Sequence, residues 1–279
     1  METRLPDSSK LAFIGCGVMA ESMIAGLLRK EIVSPSQIVA SHPRLERRHE
    51  LAEKYDIELF EDNADAVHTL SESGIVILSV KPQRINSVLN DLDGAVRPEH
   101  LVISIIAGAR IDKISSALSN ALVVRAMPNT PSQVGAGMTA WTCLDTVDET
   151  QRLQVRTMLS ALGKELYVET ENMIDMATSL SATGPTYIFM VMEAMTDAGV
   201  HLGFSREIAK ELVQQTMLGS VLFAMESRKH PAELRNMVTS PGGTSAEAIY
   251  QMEKGTLRTV LSKAIHAAYK RAVELGEKR

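Results

Sequence analysis

The sequence predicts an α/β N-terminal domain with a mostly parallel sheet, followed by an all-helical C-terminal domain. Three observations carry that reading. Over residues 1–168, short apolar runs alternate with polar segments of helical period, the pattern of strands joined by crossover helices. The first run leads into Gly15-x-Gly17-x-x-Ala20, the turn by which Rossmann-like domains end a strand, hold a dinucleotide and open a helix. From about Glu169 the β-branched runs give way to Met-, Ala- and Leu-rich segments with helical spacing, so 169–279 reads as a second domain.

Taken in order, the strand candidates are KLAFIG, QIVAS, GIVILSV, HLVISII, LVVRAM, GMTAWTC and KELYVE. Several are apolar throughout, as strands covered on both faces are. AESMIAGLLRKE and RLQVRTMLSALG are helix patterns between them. In the second half, helices are expected near 172–200, 206–227, 231–238, 245–254 and 256–276, separated by the breakers GFS, HP and SPGG. Thr244 and Glu247 have the spacing of a capping box at the start of the fourth. YIFMVMEAM (187–195) is apolar nearly all round, which a helix tolerates only when protein surrounds it. A core helix and a subunit interface both satisfy that condition. The thin core that 169–279 can build, and the adaptability of methionine, favour the interface and an obligate dimer or larger assembly.

Composition narrows the function. The 279 residues are 45% hydrophobic and 23% charged, as in a soluble globular protein. A net charge of −5 argues against nucleic acid as the main partner. No apolar stretch is long enough to cross a membrane, and the polar METRLPDSSK has no signal-peptide character. Two cysteines, Cys16 and Cys143, form no disulfide framework, so a reducing cytoplasmic setting is expected.

The nucleotide site can be outlined residue by residue. Gly15 permits the tight turn, Gly17 lets the backbone approach a pyrophosphate, and the following helix start supplies N–H donors. At the end of the second strand an NAD site would carry Asp or Glu for the ribose hydroxyls. Here the chain reads ASHPRLERR. Ser41, His42 and Arg44 therefore suggest a 2′-phosphate and NADP(H) preferred over NAD(H), with Arg47 and Arg48 read as a solvated helix face. Ser79-Val80-Lys81-Pro82, Ile105-Ile106-Ala107-Gly108 and Met127-Pro128-Asn129-Thr130 end later strands and would line the same crevice. Cys16, inside the fingerprint turn, reads as a packing residue. Histidines and cysteines have no metal-ligand spacing, and no nucleophile elbow or P-loop is present. Hydride transfer by the cofactor is the chemistry left.

FIGCGVMAESM, SVKPQ, RAMPNTP, SATGPTYIF and VTSPGGTSAEAI together resemble pyrroline-5-carboxylate reductases, from about Lys10 to Leu275. The resemblance implies NAD(P)H-dependent reduction of 1-pyrroline-5-carboxylate to L-proline by a Rossmann domain and a helical dimerisation domain. It also implies a homodimer, with a pentamer of dimers as a larger form. The implied cofactor residues are Ile14, Gly15, Cys16, Gly17, Val18, Met19, His42, Arg44, Asn63, Ser79, Val80, Lys81, Pro82, Ile105, Ile106 and Ala107, to which the residue reading adds Asn129. The substrate is implied to lie by Gly243, Thr244 and Ser245, with Glu171, Thr183, Gly184 and Pro185 nearby and Ser245 as the catalytic hydroxyl. Ser245 stands where the family commonly has Thr, and Met237 where many relatives have Asn. Rival readings are another imine or β-hydroxyacid reductase, for which Lys210 and Gln214 match the expected lysine motif poorly, and a non-catalytic NADP sensor.

Overall fold

In the computed structural model, which describes residues 4–277, eight strands form one sheet in the order β3-β2-β1-β4-β5-β6-β7-β8. They are β1 (Leu11–Ile14), β2 (Ile38–Ser41), β3 (Glu58–Phe60), β4 (Ile75–Leu78), β5 (Leu101–Ser104), β6 (Val123–Met127), β7 (Gly137–Cys143) and β8 (Gly163–Tyr167). All neighbours are parallel except β6 and β7. The strand order reverses between β1 and β4, where an open α/β sheet leaves a crevice for a ligand. Of the polar segment 1–10, residues 1–3 lie outside the described residues.

The apolar runs fill both faces of the sheet because side chains alternate along a strand. Leu11, Phe13, Ile75, Ile77, Leu101 and Ile103 enter one core layer, and Ala12, Ile14, Val76, Leu78 and Val102 the other. The helices α1 (Val18–Arg29), α2 (Leu45–Tyr55), α3 (Asn63–His68), α4 (Ile85–Asp91), α5 (Ile111–Leu118) and α6 (Glu149–Ser160) connect the strands. β3 is absent from the strand candidates read from the sequence: it is short, begins with Glu58 and is only partly buried, so it lacks the apolar signature of its neighbours.

The helical region opens with α7 (Glu171–Ala177), and α8 (Gly184–His201), α9 (Arg206–Ser227), α10 (Pro231–Met237), α11 (Thr244–Lys254) and α12 (Leu257–Glu277) follow. The helix expected over 172–200 is interrupted by a π-helical turn, Thr178–Ala182, closed by the Thr183 amide on the Thr178 carbonyl at 2.9 Å. The breakers GFS, HP and SPGG separate helices as expected. The chain forms two compact units, one made of residues up to Thr183 together with Ala268 onward, the other of Gly184–Ala267.

Within the second unit, α8 and α9 approach so closely at Gly199 that a Cβ there would stand 2.9 Å from that of Ala209. α8 nevertheless buries no residue in the single chain, and Ile188, Phe189 and Met190 are half or more exposed. On α9, Leu218, Val221, Leu222 and Met225 are exposed as well. This apolar surface is far larger than scattered surface residues would give. No helix among the described residues is long and apolar enough to cross a membrane.

Candidate active site

The fingerprint turn is built from below by β4. Gly15 has φ +84°, and a Cβ on it would stand 2.2 Å from the Val80 side chain, so both conformation and space require glycine. The Ser79 hydroxyl donates to the carbonyls of Ile14 and Gly15, each at 3.0 Å, which fixes the turn from the neighbouring strand. A Cβ on Gly17 would meet nothing within 4 Å, so the space over the start of α1 is open. Helix geometry leaves the first amides of α1, including Val18 and Met19, without intrahelical acceptors. Ile14 and Cys16 are buried beneath, and burial pushes the Cys16 thiol up to about 12. Cys16 is a core packing residue.

The end of β2 carries a chain of hydrogen bonds with a fixed direction. The Asp91 carboxylate can only accept, so it takes the Asn63 amide N–H at 3.1 Å. The Asn63 carbonyl then faces Ser41, whose hydroxyl donates to it at 2.7 Å and accepts the Gly15 N–H at 3.4 Å. Gly15, Asn63, Val80, Arg84 and Asp91 line a cleft of about 730 Å³ beside this chain. His42 Nδ1 accepts the Arg44 amide at 3.2 Å, and burial, then the Arg44 guanidinium, hold the imidazole below its usual pKa.

Arg47 and Arg48 are not the solvated face expected from the sequence. Arg47 reaches Glu21 on α1 and Glu50 on α2, and Arg48 pairs with Glu61 at 2.8 Å and donates to the His42 carbonyl. Both guanidinium side chains are therefore largely buried. Arg44 is exposed and has no ion pair or side-chain hydrogen bond among the described residues. It is the cation of the three left available to an anion at this strand end.

The other strand ends complete the rim. Lys81 is exposed and Pro82 starts a 3₁₀ turn. The turn after β5 is tied by the Ile106 amide to Ser104 Oγ at 3.3 Å and by the Ala109 amide to the Ile106 carbonyl at 3.2 Å. Ile105 and Ile106 are buried and Ala107 half-buried. Asn129 accepts the Met138 amide at 2.8 Å and donates to the Ser181 carbonyl at 3.3 Å, so it braces the end of β6 against the π turn. π turns of this kind recur at functional sites.

Glu171, at the start of α7, has a committed carboxylate. It accepts from the Ile111 amide at 2.9 Å and from Arg125 at 2.8 Å, with Arg110 3.6 Å away. Arg125 is fully buried and also donates to Asp175 at 2.6 Å. Arg125 and Asp175 went unnoticed in the sequence, although a charged residue inside the apolar run VVRAM was the available signal. Asp91 left no comparable signal.

Glu171 and Thr183 belong to the first unit, and Gly184, Pro185, Gly243, Thr244 and Ser245 to the second. In the second unit the expected capping box does not form. Gly243 is the cap, Thr244 is the first helical residue, and Glu247 instead accepts from Gln251 at 3.1 Å. The helix starts one residue earlier than the sequence suggested, because the extended backbone of Gly243 presents its own carbonyl to Ala246 at 3.1 Å and Glu247 at 3.3 Å. The amides of Thr244 and Ser245 are left without acceptors among the described residues, and neither hydroxyl is used in capping. That arrangement suits a small carboxylate. Among the described residues, no group of three or more His, Cys, Asp or Glu is placed to hold a metal ion.

Comparison with known proteins adds to this geometry. Residues 171–275 match the family model for pyrroline-5-carboxylate reductase dimerisation, and residues 10–108 match that of NADP oxidoreductase, coenzyme F420-dependent. A pyrroline-5-carboxylate reductase of Synechocystis sp. is 39% identical over 272 residues, covering 97% of this chain and 100% of that protein. The structure of a pyrroline-5-carboxylate reductase from Coxiella burnetii superposes with a TM-score of 0.86 at 36% identity, covering 96% of this chain and 98% of that one. The Plasmodium falciparum pyrroline carboxylate reductase, solved with NADP bound, gives 0.86 at 29% identity over the same shares.

Proposed function

Because the chain belongs to the pyrroline-5-carboxylate reductase family, it reduces 1-pyrroline-5-carboxylate to L-proline, and we propose that it does so with NADPH in preference to NADH. One observation carries the preference: the strand end that would need a carboxylate for NAD holds the unpaired Arg44. The open space above Gly17, the free amides at the start of α1 and the neighbouring cleft fit a dinucleotide. In this reading Ile14 to Met19 hold the pyrophosphate, His42, Arg44 and Asn63 the adenosine end, and Ser79–Pro82, Ile105–Ala107 and Asn129 the nicotinamide half. When bound, NADPH supplies the hydride.

The chain's own residues bind the substrate and handle its charges. The substrate carboxylate sits on the amides of Thr244 and Ser245, each charge-assisted bond contributing about 1.5–3 kcal/mol, while Gly243, whose own N–H is taken by the Ser240 carbonyl at 3.0 Å, shapes the turn that presents them. The Ser245 hydroxyl donates a hydrogen bond to the imine nitrogen and polarises the C=N bond towards hydride at carbon, and the proton that the nitrogen gains comes from solvent through this hydroxyl. Thr183, Gly184 and Pro185 are assigned to the substrate in the same reading. Glu171 acts by positioning: through Arg125 and the Ile111 amide it holds α7 in place. The functional division is a cofactor domain over 1–168 and a helical dimerisation and substrate domain over 169–279. The protein works as a homodimer through the region that matches the dimerisation model, and the dimers assemble further into a pentamer of dimers. Its free cysteines suit a reducing cytoplasm.

The experiment is proline-dependent reduction of NADP+ at high pH, alongside imine-dependent oxidation of NADPH, in wild type and Ser245→Ala. Wild type turns over in both directions, and Ser245→Ala loses about tenfold or more in kcat/KM at saturating cofactor. A Ser245→Ala enzyme within about twofold of wild type removes the hydroxyl from the mechanism. Binding of NADPH without turnover by wild type would instead support a sensor.

A further inference from the structure

The last turns of α12 lie against the loop that follows β5, and we infer that they act as a strap that sets the shape of this cofactor loop, with Leu275 as the positioning residue. The inference rests on the proposed assignment of Ile105–Ala107 to the cofactor. α12 begins in the second unit, yet 268–277 belong to the first. Ala268, Ala272, Leu275 and Gly276 share one helical face, and along it Ala272 is buried and the others half-buried.

Two contacts fix that face. The Tyr269 hydroxyl donates to Asn172 Oδ1 at 3.2 Å, which ties the helix to α7. Further along, the helix meets Gly108 backbone to backbone. A Cβ on Gly108 would stand 2.8 Å from the Leu275 Cβ and 3.0 Å from the Leu275 carbonyl carbon, and φ at Gly108 is +72°. A Cβ on Gly276 would in turn lie 3.4 Å from the Gly108 carbonyl oxygen and 3.5 Å from Cγ of Arg110. The Leu275 side chain lines a small recess with Pro82, Ile85, Ile106 and Ala107, at the adjoining ends of β4 and β5.

The turn 105–109 is held from within by the Ser104 hydroxyl and the Ile106 carbonyl, and from outside by this helix. Truncating Leu275 beyond Cβ empties the recess against Ile106 and Ala107 and so loosens the outer side of the loop, while the backbone approach at Gly108 and every group expected to touch substrate stay in place. The loss should therefore fall on cofactor affinity and not on the chemical step.

The test uses the full chain as Leu275→Ala, Leu275→Met and Ala107→Leu, with NADPH and imine varied in turn and the thermal midpoint recorded. Leu275→Ala is expected to raise the KM for NADPH about fivefold or more, with kcat at saturating NADPH and the KM for the imine within about twofold. Leu275→Met, which refills the recess, returns the NADPH KM towards wild type. An NADPH KM within about twofold of wild type in Leu275→Ala overturns the strap. So does a parallel loss of kcat, both KM values and thermal midpoint, which marks a contact that only holds the fold together. Ala107→Leu separates the two levels. If it leaves the NADPH KM unchanged, the cofactor assignment of the loop fails. If it raises that KM while Leu275→Ala does not, only the strap fails. Should Leu275→Ala not fold, Leu275→Val, which shortens the same side chain by less, takes its place: a raised NADPH KM is expected, and an unchanged one overturns the strap.

Discussion

Arg44, Arg47 and Arg48 lie within one short stretch of chain and meet three different fates. Arg47 is held by Glu21 and Glu50, and Arg48 by Glu61 and a backbone carbonyl. Each of those cations is already neutralised and has little to offer a phosphate. Arg44 caps the start of α2, and its guanidinium has no ion pair or hydrogen bond among the described residues. Truncating it should cost one charge-assisted contact, about 1.5–3 kcal/mol. Arg44→Ala is thus expected to raise the KM for NADPH about tenfold or more and to leave that for NADH within about twofold. Equal effects on both cofactors in steady-state assays would remove Arg44 from 2′-phosphate recognition. The sequence showed the basic cluster and the missing carboxylate. It could not show which arginine is free, because Glu21 and Glu61 reach the cluster only once α1, α2 and the β3–α3 loop are packed.

At the scale of elements, Glu21 joins the fingerprint helix to the next one. Its carboxylate accepts from Arg47, Lys54 at 2.8 Å and the Tyr55 hydroxyl at 2.9 Å. Burial alone would push this carboxyl up, but hydrogen bonds from Lys54, Arg47 and Tyr55 outweigh it and hold it at about 2. A carboxyl depressed in the folded state stabilises fully above its ordinary value of 4.5, and that contribution is lost as pH falls from there towards 2. The site is open to solvent on one side, so screening keeps this contribution to about 1–2 kcal/mol. Glu21→Gln should therefore be less stable than wild type at pH 6, and the gap should close as pH falls below 4.5. Urea unfolding of both proteins at a series of pH values measures this, and a gap independent of pH would show that Glu21 contributes through packing alone. Element starts and stops were legible where they depend on local chemistry, as at GFS, HP and SPGG. The π turn at Thr178–Ala182 was not, since a helix and a helix with one inserted residue share nearly the same apolar period.

For the whole molecule, the exposed apolar surface of α8 and α9 is what the single chain leaves unfinished. Phe189 is 58% exposed and Met190 65% exposed, in a region matching a dimerisation model. A charge placed there would be desolvated in the assembled protein. Phe189→Asp is expected to elute as a monomer at micromolar concentration, with light scattering giving the chain mass. A dimer mass for this variant would place the interface on another face. The sequence by itself determined the alternating sheet, the fingerprint turn and the helical second half, because periodicity and turn chemistry act between near neighbours in the chain. Only the tertiary structure decided that Arg47 belongs to Glu21, that Arg125 takes Glu171 and Asp175, and that Gly108 receives the end of α12. Ion pairing and close packing depend on distance in space, and sheet order and helix placement set that distance for residues far apart along the chain.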